Sequence, residues 1–442
     1  MRKPHCERLL ISLILLVDSF VAFNQDIGIS LMNRDQLYSN RNIAIPYPKK
    51  NNFALPEFSG SLLNESGSLN QWLLNTGAGT RTIDLQTLWK SIDRRDYLSQ
   101  VGWNIQTLAF GKKYNRFQWM VAHKISGDLN FIYNKDLLGI LAFGNYGYLQ
   151  QEPLAKTQAL DLKPASEIAV YQSIGVDVAY FLNDHNSIGA GINYLSGWYD
   201  FKTDIKKFEL DIRDPLAIKA NEDWSVRTAH LIDYLSLDSV KVNKKNATWG
   251  RHPGMSINLG YSHHTDRMQF GIQVRDLGRI KWKGKQYSRN AITNYSGIRI
   301  NDLLNIDKGV FDHITDSIKA FTSVDQSDAS YSTILPPKIM LDAQYYLSDQ
   351  WTLGGAIFYS TGSIRPYWKT MLGAEFKPLP FLNIASNVSL DKYHHFDLGL
   401  STSLRVSILH FYLNFSPLPA IWHSGVYNHI AGSAGLSVQW GK

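Results

Sequence analysis

The sequence predicts an all-β protein, a transmembrane antiparallel β-barrel of about fourteen strands. Three observations carry that expectation. Apolar and polar residues alternate with period two in segment after segment. Aromatic residues make up 12% of the 442-residue chain while charged residues make up only 19%, a balance that suits strands running between two membrane interfaces. Finally, apart from a leader-like N-terminus, no apolar run approaches the roughly 20 residues a spanning helix needs; the longest candidate is Leu137–Phe143.

The leader comes first in the chain. Arg2, Lys3 and Arg8 give a basic start, Leu9–Val17 an apolar stretch, and Phe20-Val21-Ala22 a small-residue end, so residues 1–22 are expected to be a cleaved signal peptide. The single cysteine, Cys6, falls inside it. The exported chain would then carry no thiol for a disulfide, a thiolate metal site or a cysteine nucleophile. Residues 23–52 are polar and irregular, and are expected to form an N-terminal periplasmic or plug segment. Residues 53–442 are expected to form the barrel.

Strands are expected near 53–62, 101–110, 116–126, 166–182, 187–200, 253–263, 268–282, 337–347, 350–362, 367–377, 381–391, 396–404, 406–416 and 431–441. Val101, Trp103, Ile105, Thr107 and Ala109 are expected on one face, with Ile168, Val170, Ile174, Val176, Val178 and Tyr180 sharing a face in a later strand. Short turns rich in Asn, Asp, Ser, Gly and Pro alternate with long connections near 127–165, 200–252, 284–335 and 417–430. Short periplasmic turns and long outer loops are the habit of outer-membrane barrels. The 201–252 stretch has room for a further hairpin. Helical spacing within the long loops is expected at Ile83–Ile92 and at Asn301–Phe321.

If the apolar faces meet lipid, the polar faces line an enclosed lumen. That places Lys124, Asp177, Arg275, Lys338, Asp342, Glu375, Lys377, Asp391, Asp397 and Arg405 inside. Charges of both signs there either line a water path or pair across it. Trp103, Trp119, Trp198, Trp282, Trp351 and Trp368, near strand ends, are expected in interface girdles.

Other chemistries find little support. The net charge of +7 is scattered, with no basic stripe for nucleic acid. The pairs His263-His264 and His394-His395 put adjacent imidazoles on opposite faces of a strand, so neither pair alone chelates one ion. Gly77-Ala78-Gly79 lacks the lysine and the strand–helix setting of a phosphate loop, and there is no nucleophile elbow. No catalytic residue, cofactor or metal is expected.

Two stretches resemble known families. Residues 333–353 (TILPPKIMLDAQYYLSDQWTL) combine a Leu-Pro element, a strand, an Asp-bearing turn and a Trp-bearing strand, and resemble FadL-like fatty-acid transporter barrels. Residues 276–282 (DLGRIKW) resemble a pattern in PorP/SprF-like barrels of type IX secretion and in a related uncharacterised set, where the chain is best placed. The resemblance implies a fourteen-stranded barrel with an N-terminal plug, acting as a gated port for small or hydrophobic molecules. The alternative it implies is an anchoring barrel of a secretion or surface complex without transport. FadL-like chains often carry Asn-Pro-Ala near the N-terminus. Here the nearest stretch is Asn40-Arg41-Asn42-Ile43-Ala44, so the likeness does not extend to that hatch. Expected partners are outer-membrane lipid, the barrel-assembly machinery through the C-terminal strand with Trp440 as its aromatic signal, and a hydrophobic ligand or secretion proteins.

Overall fold

The computed structural model describes residues 41–68, 73–75, 81–214, 217–229, 249–295, 324–393, 395–423 and 427–441. The leader, residues 23–40, Gly77–Gly79, the helix expected over Asn301–Phe321 and His394 lie outside them.

The strands are β1 (Asn51–Asn64), the small hairpin β2 (Leu73–Asn75) and β3 (Arg81–Ile83), β4 (Tyr97–Lys113), β5 (Phe117–Tyr133), β6 (Leu160–Asp161), β7 (Ala165–Phe181), β8 (Asn186–Asp211), β9 (Ile218–Ala229) and β10 (Pro253–His264). They continue with β11 (Met268–Tyr295), β12 (Asp325–Ile334), β13 (Lys338–Tyr346), β14 (Trp351–Ser360), β15 (Tyr367–Leu379), β16 (Leu382–Asp391), β17 (Phe396–Val406), β18 (Leu409–Ser416) and β19 (His429–Trp440).

Each wall strand pairs antiparallel with its sequence neighbour, and β1 pairs with both β4 and β19, which closes the sheet. Two positions in the wall are shared. The lower half of β8 pairs with β10 and its upper half with β9, and β11 does the same from the other side. In the same way β11 carries β13 below and β12 above, split at Leu335-Pro336-Pro337, where the prolines supply no ladder N–H. The result is a closed barrel of fourteen strand positions. All fourteen expected strands are present. The hairpin allowed for in 201–252 also exists, as the tops of β8 and β9, but it extends an existing wall position and leaves the count unchanged.

The alternation has the expected sense. Ile174, Val176, Val178, Ile188, Ile192 and Leu259 are each 40–49% exposed, while the residues between them are mostly buried and small or polar. So wide an exposed apolar belt is not a soluble surface. No described helix is long and apolar enough to cross a membrane.

Register shifts interrupt several strand pairs, and two of them overturn expectations from the sequence. In β4 the register shifts between Gln106 and Leu108, so Leu108 is 50% exposed and Ala109 2%; the expectation that Ala109 shares the face of Val101–Thr107 is corrected. In β11 the register shifts opposite Ile257 and Leu259, with Asp276 at φ 60°. Beyond that bulge Ile280 and Trp282 turn inward, both fully buried. Trp282 therefore belongs to no girdle. It packs over Gly197, where a Cβ would lie 2.3 Å from its ring.

The long-loop end is capped. Helix α1 (Leu85–Ser91) begins at Asp84, whose carboxylate accepts from the Gln86 and Thr87 amides at 3.1 Å each. The expected 127–165 loop instead contains the top of β5 and a helix, α2 (Lys135–Gln151), interrupted at Gly144. Leu88, Trp89, Tyr97, Tyr133, Leu138 and Tyr148 form a buried apolar cluster between them. The largest apolar core of the described residues thus sits above the wall rather than inside it.

Candidate functional site

The interior of the barrel is polar. Gln106, Asn258, Gln273, Asn387 and Asn414 are all buried on the inward register. Neither side-chain atom of the Gln106 amide meets a described protein partner, although the residue is 1% exposed. Such groups are normally satisfied by water, so the lining is that of a wet interior.

Into the short-turn end of this interior comes the N-terminal segment. Residues 41–47 bend back beside β5, β8, β10 and β11, with Asn42 and Ala44 fully buried. The Asn42 amide donates to the Tyr261 and Ile272 carbonyls at 3.1 and 3.2 Å, and its oxygen accepts from the Ala44 amide at 3.0 Å. Gln118 does most of the clasping. It donates to the Ile43 and Ile45 carbonyls at 3.1 and 2.8 Å and accepts from the Tyr47 amide at 2.8 Å. Ser187 donates to the Ala44 carbonyl at 2.7 Å. Arg41 folds over the segment, donating to the Ile45 and Pro46 carbonyls with its guanidinium 5.6 Å from the Tyr47 ring. The stretch that departs from the Asn-Pro-Ala pattern is thus the stretch lodged in the barrel.

The charged residues expected inside fall into separate groups. Lys124 on β5, Asp177 on β7 and Arg275 on β11 interact electrostatically across the lumen together with Glu57 and Asp276, and Lys338 bridges to Asp276 at 2.9 Å. Asp342 lies beside the inserted segment: a Cβ on Gly271 would meet the Asp342 carboxylate at 2.6 Å and the Asn42 amide at 3.0 Å. Glu375 pairs with Lys377 at 3.6 Å, and Arg405 donates to His410 at 3.0 Å, both at the short-turn end. Asp397 is held at the opposite end by Lys369 at 3.5 Å and His429 at 3.1 Å, with Asp391 accepting from His395 alongside. No single constellation of the catalytic kind unites them.

Sequence reasoning missed Asn42, Gln118 and Ser187, which hold the segment, and Lys369 and His429, which flank Asp397. None stands in a motif. A buried Lys such as Lys369, 2% exposed with Asp391 opposite it on β16 and Asp397 beyond on β17, is visible only once β15 and β17 are brought together by β16.

A family model described as a family of unknown function, DUF5723, matches residues 44–415. The chain belongs to DUF5723. A search of curated proteins returned no match. Among solved structures, this DUF5723 barrel is similar to the Pseudomonas putida toluene transporter TodX, with TM-score 0.45 and 10% identity over 94% of this chain and 98% of that one. It is also similar to a Pseudomonas aeruginosa FadL homologue (TM-score 0.41, 12% identity, 88% and 90% covered) and to the Ralstonia pickettii toluene transporter TbuX (0.41, 8%, 88% and 88%). Placement in an uncharacterised barrel family agrees with the family description.

Proposed function

We propose that this DUF5723 barrel is an outer-membrane port for small molecules, closed at its periplasmic end by the N-terminal segment. The observation that carries the reading is the manner in which residues 41–47 are held. Gln118, Ser187 and Lys113, with the Tyr261 and Ile272 carbonyls that accept from Asn42, hold them by hydrogen bonds that water can replace. A segment so fixed can leave without breaking the wall, whose strands pair with one another independently of it. The membrane location rests on the exposed apolar belt and on closure, which leaves no unpaired edge in lipid. The short turns and both chain ends of the wall lie at one end and the long loops at the other, so the former is periplasmic. Because Asn, Gln, Ser and charged side chains line the interior, the solute that crosses it is a polar one.

The test is planar-bilayer conductance and liposome swelling with the full exported chain and with a variant lacking residues 23–47. The proposal expects a low, flickering conductance for the full chain and a steady open level for the variant, with sugars or amino acids entering the liposomes. Silence from both, with the barrel correctly inserted, would refute the port.

A further inference from the structure

The outward face of β11 changes chemistry part-way along its length. Met268, Phe270 and Leu277 are exposed apolar residues on that face, and the next three outward positions are Arg279, Lys281 and Lys283, all exposed. The bulge at Asp276 produces this arrangement: without its phase shift, Arg279 and Lys281 would point into the lumen and Trp282 to the outside. Among the described residues no carboxylate forms an ion pair with Arg279, Lys281 or Lys283.

The neighbouring strands shape the surface around this ladder. Met255 on β10, Tyr194 on β8 and Ile334 on β12 are 53%, 43% and 69% exposed, and with Arg279 and Lys281 they line a depression of about 650 Å³ on the outside of the wall. Trp249 stacks on Tyr194 at 6.2 Å and 20°, giving the rim an aromatic pair. A second depression of about 540 Å³ lies next to it, lined by Arg251, Lys283, Lys285 and Asp328.

We propose that this outer face of β10, β11 and β12 binds a phosphate-bearing lipid of the extracellular leaflet. Its acyl chains lie against Met255, Leu277 and Ile334, and its phosphate sits on Arg279, Lys281 and Lys283. The geometry matches the lipid's own anatomy, because the switch from apolar to basic falls at the level where hydrocarbon gives way to headgroup. Arg offers a phosphate two parallel donors and the lysines add point charge, while a lipid with a zwitterionic headgroup would leave three adjacent cations uncompensated. The inference rests on the outer-membrane reading given above.

The experiment uses the full exported chain folded in detergent and titrated with diphosphoryl lipid A or with phosphatidylethanolamine, with bound lipid counted by native mass spectrometry. The wild type is expected to retain lipid A at least about tenfold more tightly than phosphatidylethanolamine. Combining Arg279→Ala, Lys281→Ala and Lys283→Ala should weaken lipid A on the order of 100-fold. Lys112→Ala with Arg116→Ala, at the opposite rim, should leave it unchanged. Heat-modifiable migration on gels checks that each variant is folded. Equal affinity of the triple variant and the wild type, or a wild type indifferent to the two lipids, overturns the proposal while leaving a detergent-folded barrel intact. A chain that folds and stays monomeric without detergent overturns this proposal and the membrane reading together.

Discussion

Gly189 and Ile43 meet more closely than any other residue at position 189 would permit: a Cβ there would lie 2.7 Å from Ile43 Cγ1 and 3.0 Å from the Ala44 nitrogen. The bare backbone of β8 is the seat of the inserted segment. Gly189→Leu should expel residues 41–47, since the added side chain projects into the lumen and the wall pairing of β7, β8 and β10 is untouched. Planar-bilayer recording should show the variant open where the wild type is mostly closed. An unchanged closed level would mean that the segment does not seal the pore.

Gln118 makes three hydrogen bonds to the segment, two donated and one accepted. At about 0.5–1.5 kcal/mol net for each, Gln118→Ala should weaken docking by about 3 kcal/mol. Hydrogen exchange reads this at the Tyr47 amide, which donates to Gln118. Its protection should fall on the order of 100-fold, while amides within β5 keep theirs.

Lys369 is 2% exposed and lies 3.5 Å from Asp397, which also accepts from His429 at 3.1 Å. Removing one member of a buried pair leaves the other charge uncompensated. Lys369→Met should therefore lower barrel stability by about 3 kcal/mol, and adding Asp397→Asn should recover much of the loss. Urea unfolding in liposomes measures both. Equal stability of Lys369→Met and wild type would show that His429 and water, not Lys369, compensate Asp397.

Acid should loosen the cap over the long-loop end at its first helix. The Thr87 hydroxyl, then the Thr87 amide, hold the Asp84 carboxyl below the ordinary carboxylate range, with a smaller contribution from the Gln86 amide. A group whose folded pKa is depressed contributes stability above its unfolded pKa of about 4 and loses it as pH falls through the lower, folded value. The protection factor of the Thr87 amide should thus decline below about pH 4 in the wild type. In Asp84→Ala it should be low and independent of pH over the same range.

Much of this barrel was legible in the sequence because a strand with lipid on one side and a wet interior on the other has to alternate. Segments such as Leu382–Leu390 do so without interruption, and every expected strand is present. What escaped has physical reasons. The upper parts of β8 and β11 rise past the apolar belt and carry polar residues on both faces, so 201–211 and 283–295 show no period. In α2, Gly139, Gly144 and Gly147 dilute the helical pattern, and Gly139 is there because Tyr148 packs against it. A bulge adds one residue and inverts every later side chain, which is why Trp282 went to the wrong face. For the site, the alternation is what assigns Lys124, Asp177, Arg275 and Asp342 to the polar face in the sequence. Which of them meet depends on strands far apart in the chain, as when Lys338 on β13 reaches Asp276 on β11.

The most direct test of the whole account is spin-label scanning of β16 in liposomes, one cysteine at a time from Asn383 to Leu390. The only native cysteine, Cys6, lies in the expected leader, so each label in the exported chain reports alone. Labels at Ile384, Ser386, Val388 and Leu390 should relax with lipid-dissolved oxygen, and those at Asn383, Ala385, Asn387 and Ser389 should not, giving a strict two-residue alternation. Uniform accessibility along the strand, or oxygen contact on the Asn387 face, would contradict the closed barrel with lipid outside and a polar lumen within.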